Sequence, residues 1–406
     1  MGIGAAPIVQ EHFARSIAAT GRFFDAEAQR VAECCRHMAD RFSHGGTLLV
    51  MGEGAQASDA QHVAVEFVHP VIVGKRALPA ISLTSDIGVF TASAHSVPQH
   101  SFAGPLQTLG QSSDIVLGIC ATSTEPSIRA AMTAARERGL LTILIRGRCP
   151  DPEAIAEVEF GIDESNPFVV QEVSETLYHV LWELVHVFFE TDDAQLVAYL
   201  PPPGEAKQQT DLLAEAQAST LEKARDVCAL RTQSERMWGD VIVEAGRAIA
   251  SRIRRHGKLL AIGNGGSATD AQDAAADCLA PPLSGWYQVP AMALTNDVGV
   301  LTAIGNDVGF DHVFSRQIIA FARPPDIALG FSTSGVSRNV VVAMDEAKAR
   351  GLLTIAMSGG DGGTLARSPS VDFCFTVPSE HLPRIQEVHA TTWHALLSVV
   401  QEELRD

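Results

Sequence analysis

The chain is short of positive charge. Thirty lysines and arginines face 48 aspartates and glutamates, leaving a formal net charge of −18 over 406 residues. Binding to a phosphate backbone wants basic stripes, so nucleic acid is excluded as the main partner. A small phosphorylated ligand is not excluded, because a local nest of amides can act within an acidic protein. Metal-type cysteine spacing is absent as well. The seven cysteines (Cys34, Cys35, Cys120, Cys149, Cys228, Cys278, Cys374) are scattered, which reads as reduced structural thiols in a cytoplasm. No apolar run is long enough to span a bilayer, and the first residues carry no signal-peptide pattern. The expectation is a soluble cytoplasmic protein without a membrane partner.

What the chain does have is two copies of one pattern. Leu48-Leu49-Val50-Met51-Gly52-Glu53-Gly54-Ala55-Gln56-Ala57-Ser58-Asp59 returns, 211 residues on, as Leu259-Leu260-Ala261-Ile262-Gly263-Asn264-Gly265-Gly266-Ser267-Ala268-Thr269-Asp270. Thr84-Ser85-Asp86 returns as Thr295-Asn296-Asp297, and Gln171-Glu172-Val173 as Gln386-Glu387-Val388. That period is far too long for a solenoid, so two tandem domains of one fold are expected. Each is large enough for its own core, and an apolar content of 46% suits globular domains.

Each half opens on a long stretch with helical apolar spacing, 8–43 and 211–256. Short β-rich runs then alternate with helical segments. They fall at 47–51, 78–83, 114–119, 140–145 and 157–161, and again at 258–262, 289–294, 326–332, 352–357 and 371–377. This rhythm predicts an α/β fold, a parallel sheet with helices on both faces in each half. Apolar helices near 168–190 and 383–404 close the halves, and Pro201-Pro202-Pro203-Gly204 reads as the linker. The expected domains are 1–200 and 207–406.

Two loops of the second half suit an anion. Strand 258–262 runs into Gly263-Asn264-Gly265-Gly266-Ser267, and strand 326–332 into Ser332-Thr333-Ser334-Gly335-Val336-Ser337, each before a helix. Glycines permit close backbone approach, and a helix start offers unbonded N–H groups and a positive dipole. Ordinary helix capping explains either loop alone. Two such loops at one sheet edge favour phosphate. In the first half Ser267 becomes Gln56, Ser332 becomes Cys120, Thr333 becomes Ala121 and Ser337 becomes Glu125; only Thr122, opposite Ser334, keeps a hydroxyl. A carboxylate at Glu125 would repel a phosphate dianion. The expected phosphate contacts are therefore Asn264, Gly265, Gly266, Ser267, Ser332, Thr333, Ser334 and Ser337.

The first half keeps something else. His62 and Glu66, spaced i, i+4, share one helix face and suit a divalent ion or an acid–base pair. The second half has Asp273 and Asp277 there, without the nitrogen zinc favours. The closing helices carry Gln171 with His179 and Gln386 with His394. Eight residues of straight helix separate two side chains by about 12 Å, awkward for one ion. Either the Gln precedes the regular helix, or the Gln and His at one ion come from different halves. For either His alone, a core histidine is the plainer reading; the repeated Gln-Glu-Val spacing raises the functional one.

With these motifs in order, and with Gly305-Asn306-Asp307-Val308-Gly309-Phe310, Phe314-Ser315-Arg316, Asp361-Gly362-Gly363 and Arg384-Ile385-Gln386-Glu387-Val388-His389, residues 240–404 resemble the phosphoheptose isomerase family of sugar isomerase (SIS) domains. The first half is similar more weakly, through Asp59-Ala60-Gln61-His62, Glu66, Gln171 and His179. The resemblance implies flavodoxin-like domains assembled in fours, here as a homodimer. It implies conversion of sedoheptulose 7-phosphate to D-glycero-D-manno-heptose 7-phosphate through an enediol, often around zinc. It puts metal ligands at His62, Glu66, Gln171 and His179, with Asp273, Asp277, Gln386 and His394 as the less favoured equivalents. Glu66 is the expected base, and His179 or His394 its partner acid, at a composite site between the halves. The competing expectations are a sugar-phosphate sensor without turnover and an isomerase of another phosphosugar.

Overall fold

A computed structural model of the protein describes residues 5–72, 75–96, 101–121, 125–148, 154–189 and 209–405. The linker expected at 201–204 lies outside the described residues, as do Thr122 and Cys149. The chain forms two compact units: residues 18–226, the first unit, and residues 227–406 together with 1–17, the second. Among the described residues no helix is long and apolar enough to cross a membrane.

The elements run α1 (Ala5–Ser43), β1 (Leu48–Gly52), α2 (Gln56–Val68), β2 (Ala80–Ser82), α3 (Ile87–Ser96), α4 (Ala103–Leu109), β3 (Ile115–Cys120), α5 (Pro126–Glu137), β4 (Leu141–Gly147), β5 (Val158–Ile162) and α6 (Pro167–Val185). The pattern repeats as α7 (Gln209–Arg254), β6 (Leu259–Ile262), α8 (Gly266–Leu279), β7 (Ala291–Ala293), α9 (Val298–Asp307), α10 (Ser315–Phe321), β8 (Ile327–Ser332), α11 (Arg338–Ala349), β9 (Leu353–Gly359), α12 (Gly363–Arg367), β10 (Phe373–Val377) and α13 (Leu382–Arg405). The first sheet has the order β2-β1-β3-β4-β5 and the second β7-β6-β8-β9-β10, all pairs parallel.

Alternation along each strand divides the core. In the first unit Leu48, Val50, Ile115, Leu117, Ile143 and Ile145 face one cluster with α6 residues Val169, Val173 and Leu177. Leu49, Met51, Val116 and Leu144 face the opposite cluster, with Leu106 of α4 and Ile128 and Met132 of α5. Strands buried on both faces read as unbroken apolar runs, and a fully buried Leu, Ile or Val contributes about 1.5–3 kcal/mol.

Two expectations changed. The runs 78–83 and 289–294 pair over only three residues each, in β2 and β7. Both are sheet-edge strands entered through a proline: Pro79 and Pro290 give only a carbonyl, accepting from Leu48 and Leu259. The crossovers that follow contain two short helices each, α3 with α4 and α9 with α10.

This order puts the functional loops in one place in each unit. β1 and β3 are neighbours whose outgoing connections leave toward opposite sheet edges, and so are β6 and β8. A crevice opens at such a switch point, beyond the carboxyl ends of the two strands. The loops at 263–267 and 332–337 leave β6 and β8 at that point.

Candidate active site

In the second unit the loop after β6 has no room for side chains where it turns. A Cβ on Gly263 would lie 2.0 Å from the Ser267 carbonyl oxygen, and Gly265 has φ +57°. Asn264 and Asn339 exchange amide hydrogen bonds of 2.9 and 2.8 Å, tying this loop to the start of α11. In the loop after β8, Ser332 Oγ donates to Ser337 Oγ at 2.9 Å, and the Val336 amide donates to Ser334 Oγ at 3.4 Å. Gly335, at φ +64°, packs on the loop of Asp361-Gly362-Gly363, where a Cβ would meet the Gly362 oxygen at 2.2 Å. Leu365 N–H donates to the Gly335 carbonyl across the same contact.

Capping does not use up these groups. Gly265 and Ser337 occupy the N-cap positions of α8 and α11, and neither makes a side-chain cap hydrogen bond. Two helix starts and the hydroxyls of Ser267, Ser332, Ser334 and Ser337 thus gather at the carboxyl ends of adjacent strands, an arrangement suited to an anion.

The first unit reverses the charge at the matching loops. Ser127 Oγ donates to Glu53 Oε1, and Glu125 stands at the N-cap of α5. Burial, and then the Glu53 carboxylate, push the Glu125 carboxyl above its usual range.

What the first unit holds instead lies between α2 and α6. On α2 the buried set Asp59, His62, Val63, Glu66 and Phe67 follows helical spacing. Every residue of α6 is buried, so its polar side chains must find partners inside. His62 Nε2 lies 3.4 Å from His179 Nε2 and 3.8 Å from Glu66 Oε1. Tyr178 Oη is 3.2 Å from both Asp59 Oδ1 and His62 Nδ1. An ionised Asp59 can only accept, so Tyr178 donates to it and takes a bond from His62 Nδ1–H. That chain fixes the tautomer and turns the Nε2 lone pair of His62 toward Glu66 and His179.

Burial, and then His179, hold the His62 imidazole well below its usual range. Burial, and then Glu183, push the Glu66 carboxyl up to about 8. Lys223 Nζ pairs with Glu183 at 2.7 Å. One donor atom each from His62, Glu66 and His179 lies within 4.8 Å of the others, as an ion's ligands would. Glu66 Oε2 is buried without a hydrogen-bond partner. Two imidazoles, a carboxylate and an orphaned oxygen fit a divalent ion of the zinc type. A cation would favour neutral His62 and ionised Glu66 and release a proton on binding.

The structure therefore brings His62, Glu66 and His179 together in one unit. Gln171 lies inside α6, not before it, and its amide donates to Asp59 Oδ2 at 3.3 Å. In the second unit His394 Nε2 is 3.6 Å from Asp277 Oδ2, which also accepts from Trp393 Nε1 at 3.0 Å. Gln386 is buried on α13, and Asp273 is half-buried on α8. Sequence reasoning missed Asp59 and Tyr178 as site residues. Their signal was present: Asp59 recurs as Asp270, and Tyr178 adjoins His179 as Trp393 adjoins His394.

A family model described as "SIS domain" matches residues 11–147 and 222–359. A phosphoheptose isomerase of Roseiflexus sp. is 44% identical over 164 residues, 40% of this chain and 82% of that protein. Tagatose-6-phosphate ketose/aldose isomerase from Escherichia coli matches in structure with a TM-score of 0.55 at 12% identity, over 100% of this chain and 96% of that one. The C-terminal domain of glucosamine-fructose-6-phosphate aminotransferase from Francisella tularensis gives a TM-score of 0.61 at 9% identity, over 98% and 96%. At such identities these two structures speak for the fold alone.

Proposed function

Since this chain belongs to the SIS-domain family, which it carries in two copies, we propose that it is a sugar-phosphate isomerase. Its substrate on this reading is sedoheptulose 7-phosphate, turned into D-glycero-D-manno-heptose 7-phosphate. The phosphoheptose isomerases among its relatives support that choice. One observation carries the reading. The unit that lost its serine loops keeps His62, Glu66 and His179 packed together, and the unit that lost the imidazole at Asp273 keeps Ser267, Ser332, Ser334 and Ser337. On this reading the serine loops grip phosphate and the first unit's cluster moves protons.

Aldose–ketose exchange needs a proton taken from the carbon beside the carbonyl and returned to its neighbour. Glu66 is the base. Burial lifts its carboxyl to about 8 when no cation is bound, which makes it a stronger base than an ordinary carboxylate in that state. His179, within reach of Glu66, carries the hydroxyl proton of the enediol. Tyr178 and Asp59 hold His62 in its tautomer. A divalent ion of the zinc type held by His62, Glu66 and His179 would polarise the carbonyl oxygen.

The test is incubation with sedoheptulose 7-phosphate, with and without chelator, followed by NMR. Aldose signals are expected, and their absence with every metal tried would refute the reading. A second reading, a sugar-phosphate sensor, draws on Asp273 and on Glu53 and Glu125 in the first unit's loops. It predicts binding without turnover in the same tubes. We also propose that two chains pair, giving four SIS units, in a cytoplasm. α9 supports pairing: none of its residues is buried, Val298 is 73% exposed, and the neighbouring Phe310 is 63% exposed. Measured mass in solution should be that of a dimer; a monomer at micromolar concentration would count against it.

A further inference from the structure

We propose that Asn339 is a positioning residue of the anion cradle, acting through Asn264, and that this pair decides which of the two units accepts a phosphate. The inference rests on the reading of the loops at 263–267 and 332–337 as that cradle. It adds the junction that joins the two loops and sets their charge.

Asn264 stands in the loop after β6, and Asn339 in the first turn of α11, 75 residues on. Each amide donates to the oxygen of the other, at 2.9 and 2.8 Å. The Asn339 oxygen also accepts from the Val340 amide at 3.0 Å, which settles which way round that side chain sits. Asn339 is 3% exposed. A buried amide that loses its partners costs free energy, so the pair holds the two loops at one separation.

The first unit keeps the junction and changes its chemistry. Asn264 corresponds to Glu53 at the offset that relates the glycine loops, and Asn339 to Ser127 at the offset that relates Ser337 to Glu125. Asn339 and Ser127 both stand in the first turn of their helices, after N-caps Ser337 and Glu125. Ser127 is buried to the same 3% and donates to Glu53. The loop after β1 is thus tied to α5 as the loop after β6 is tied to α11.

The two junctions differ in what they offer a ligand. An Asn amide carries two N–H bonds, and the pair uses one from each. That junction adds no charge and retains donors. An ionised Glu has no donor, and Ser127 gives it its only proton. The Glu53 carboxylate also acts where an anion would sit. After burial, it is what lifts the carboxyl of Glu125, which stands where the second unit has Ser337. A phosphate dianion there would meet the same repulsion. The neutral junction admits the anion and the charged one refuses it, with the loops held in either case.

Inorganic phosphate titrated into the full chain by calorimetry, with thermal unfolding alongside, tests this. Asn339→Ala and Asn264→Ala should each weaken phosphate binding about tenfold. The double variant should be no weaker than Asn264→Ala alone, because the two side chains act as one junction. Asn264→Glu with Asn339→Ser rebuilds the first unit's junction. Its Tm should rise above that of Asn339→Ala while phosphate affinity falls more than about 100-fold. A merely structural pair would let Tm and affinity recover together. Should Asn339→Ala not fold, the paired replacement still decides. A folded Asn339→Ala with wild-type affinity overturns the inference, and so does a paired replacement that binds phosphate as the wild type does. Ser332→Ala with Ser334→Ala separates the two levels. If that variant keeps wild-type affinity, the cradle itself is refuted and the junction with it. If it loses phosphate while the Asn variants keep it, the junction alone fails.

Discussion

The two units share strand order, loop positions and closing helices, yet they keep different chemistry-bearing side chains. In the second, the loops after β6 and β8 are rich in hydroxyls and braced by Gly335 against Gly362. In the first, the matching loops carry Glu53 and Glu125. The closing helices diverge the other way: His179 faces His62 and Glu66, whereas His394 faces Asp277, whose Oδ2 accepts from Trp393. Decay at random would often have spoiled one component in both copies. A complementary pattern of loss is what a division of labour predicts, and a scaffold whose sheet order fixes both positions permits it.

The largest effect should come from the first unit's cluster. Glu66→Gln is expected to lower turnover about 10³-fold, the middle of the range for acid–base catalysis, with phosphate affinity unchanged. Aldose formation by NMR, alongside direct titration with sugar phosphate, measures both. A retained rate would remove Glu66 as base and break the comparison at its chemical end.

The next largest should come from the second unit's loops. Ser332→Ala with Ser334→Ala is expected to cost about 10²-fold in kcat/KM, since a hydrogen bond to a charged group contributes about 1.5–3 kcal/mol. Glu53→Ala with Glu125→Ala, at the matching loops of the first unit, should move kcat/KM by less than about threefold. Equal losses from the two double variants would mean that both units bind phosphate.

Much of this was legible in the sequence because it is local. The duplication, ten strand positions and both glycine loops follow from residues adjacent in the chain. So does the pairing of His62 with Glu66, which needs only helical spacing. The unread part depends on packing at long range. Nothing local says that Tyr178 lies between Asp59 and His62, 119 and 116 residues away. Nothing local says that the first turns of α1 count with residues 227–406. The short helices after β2 and β7 escaped because α9, with apolar residues and none buried, has no core face to show as a period.

A smaller effect separates two glycines at left-handed positions. Gly335→Ala combines φ +64° with a Cβ 2.2 Å from the Gly362 oxygen, and Gly54→Ala has φ +65° with nothing within 4 Å. The first should lose about 2–3 kcal/mol of stability and weaken phosphate binding, and the second about 1 kcal/mol. Thermal unfolding and phosphate titration of the two variants measure the difference. Equal costs would mean that the brace between the 335 and 362 loops does not hold the cradle.

The smallest effect is the dependence of metal binding and stability on pH, and its sign is set by Glu66. Its carboxyl is pushed up to about 8 by burial and by Glu183, so below that pH a metal ion must displace a proton. Affinity at the first unit should therefore rise about tenfold per pH unit up to about 8 and flatten above it. In the metal-stripped protein the folded state holds the Glu66 proton that the unfolded chain gives up near 4.5, so stability falls as pH climbs from that value through about 8. His62 acts in the opposite window. Held neutral by burial, it costs stability below its usual pKa, where the unfolded chain binds a proton the folded one refuses. Chelator should accordingly lower the Tm more at pH 9 than at pH 6, and Glu66→Gln should remove most of that difference. A chelator effect independent of pH would place the ion away from Glu66.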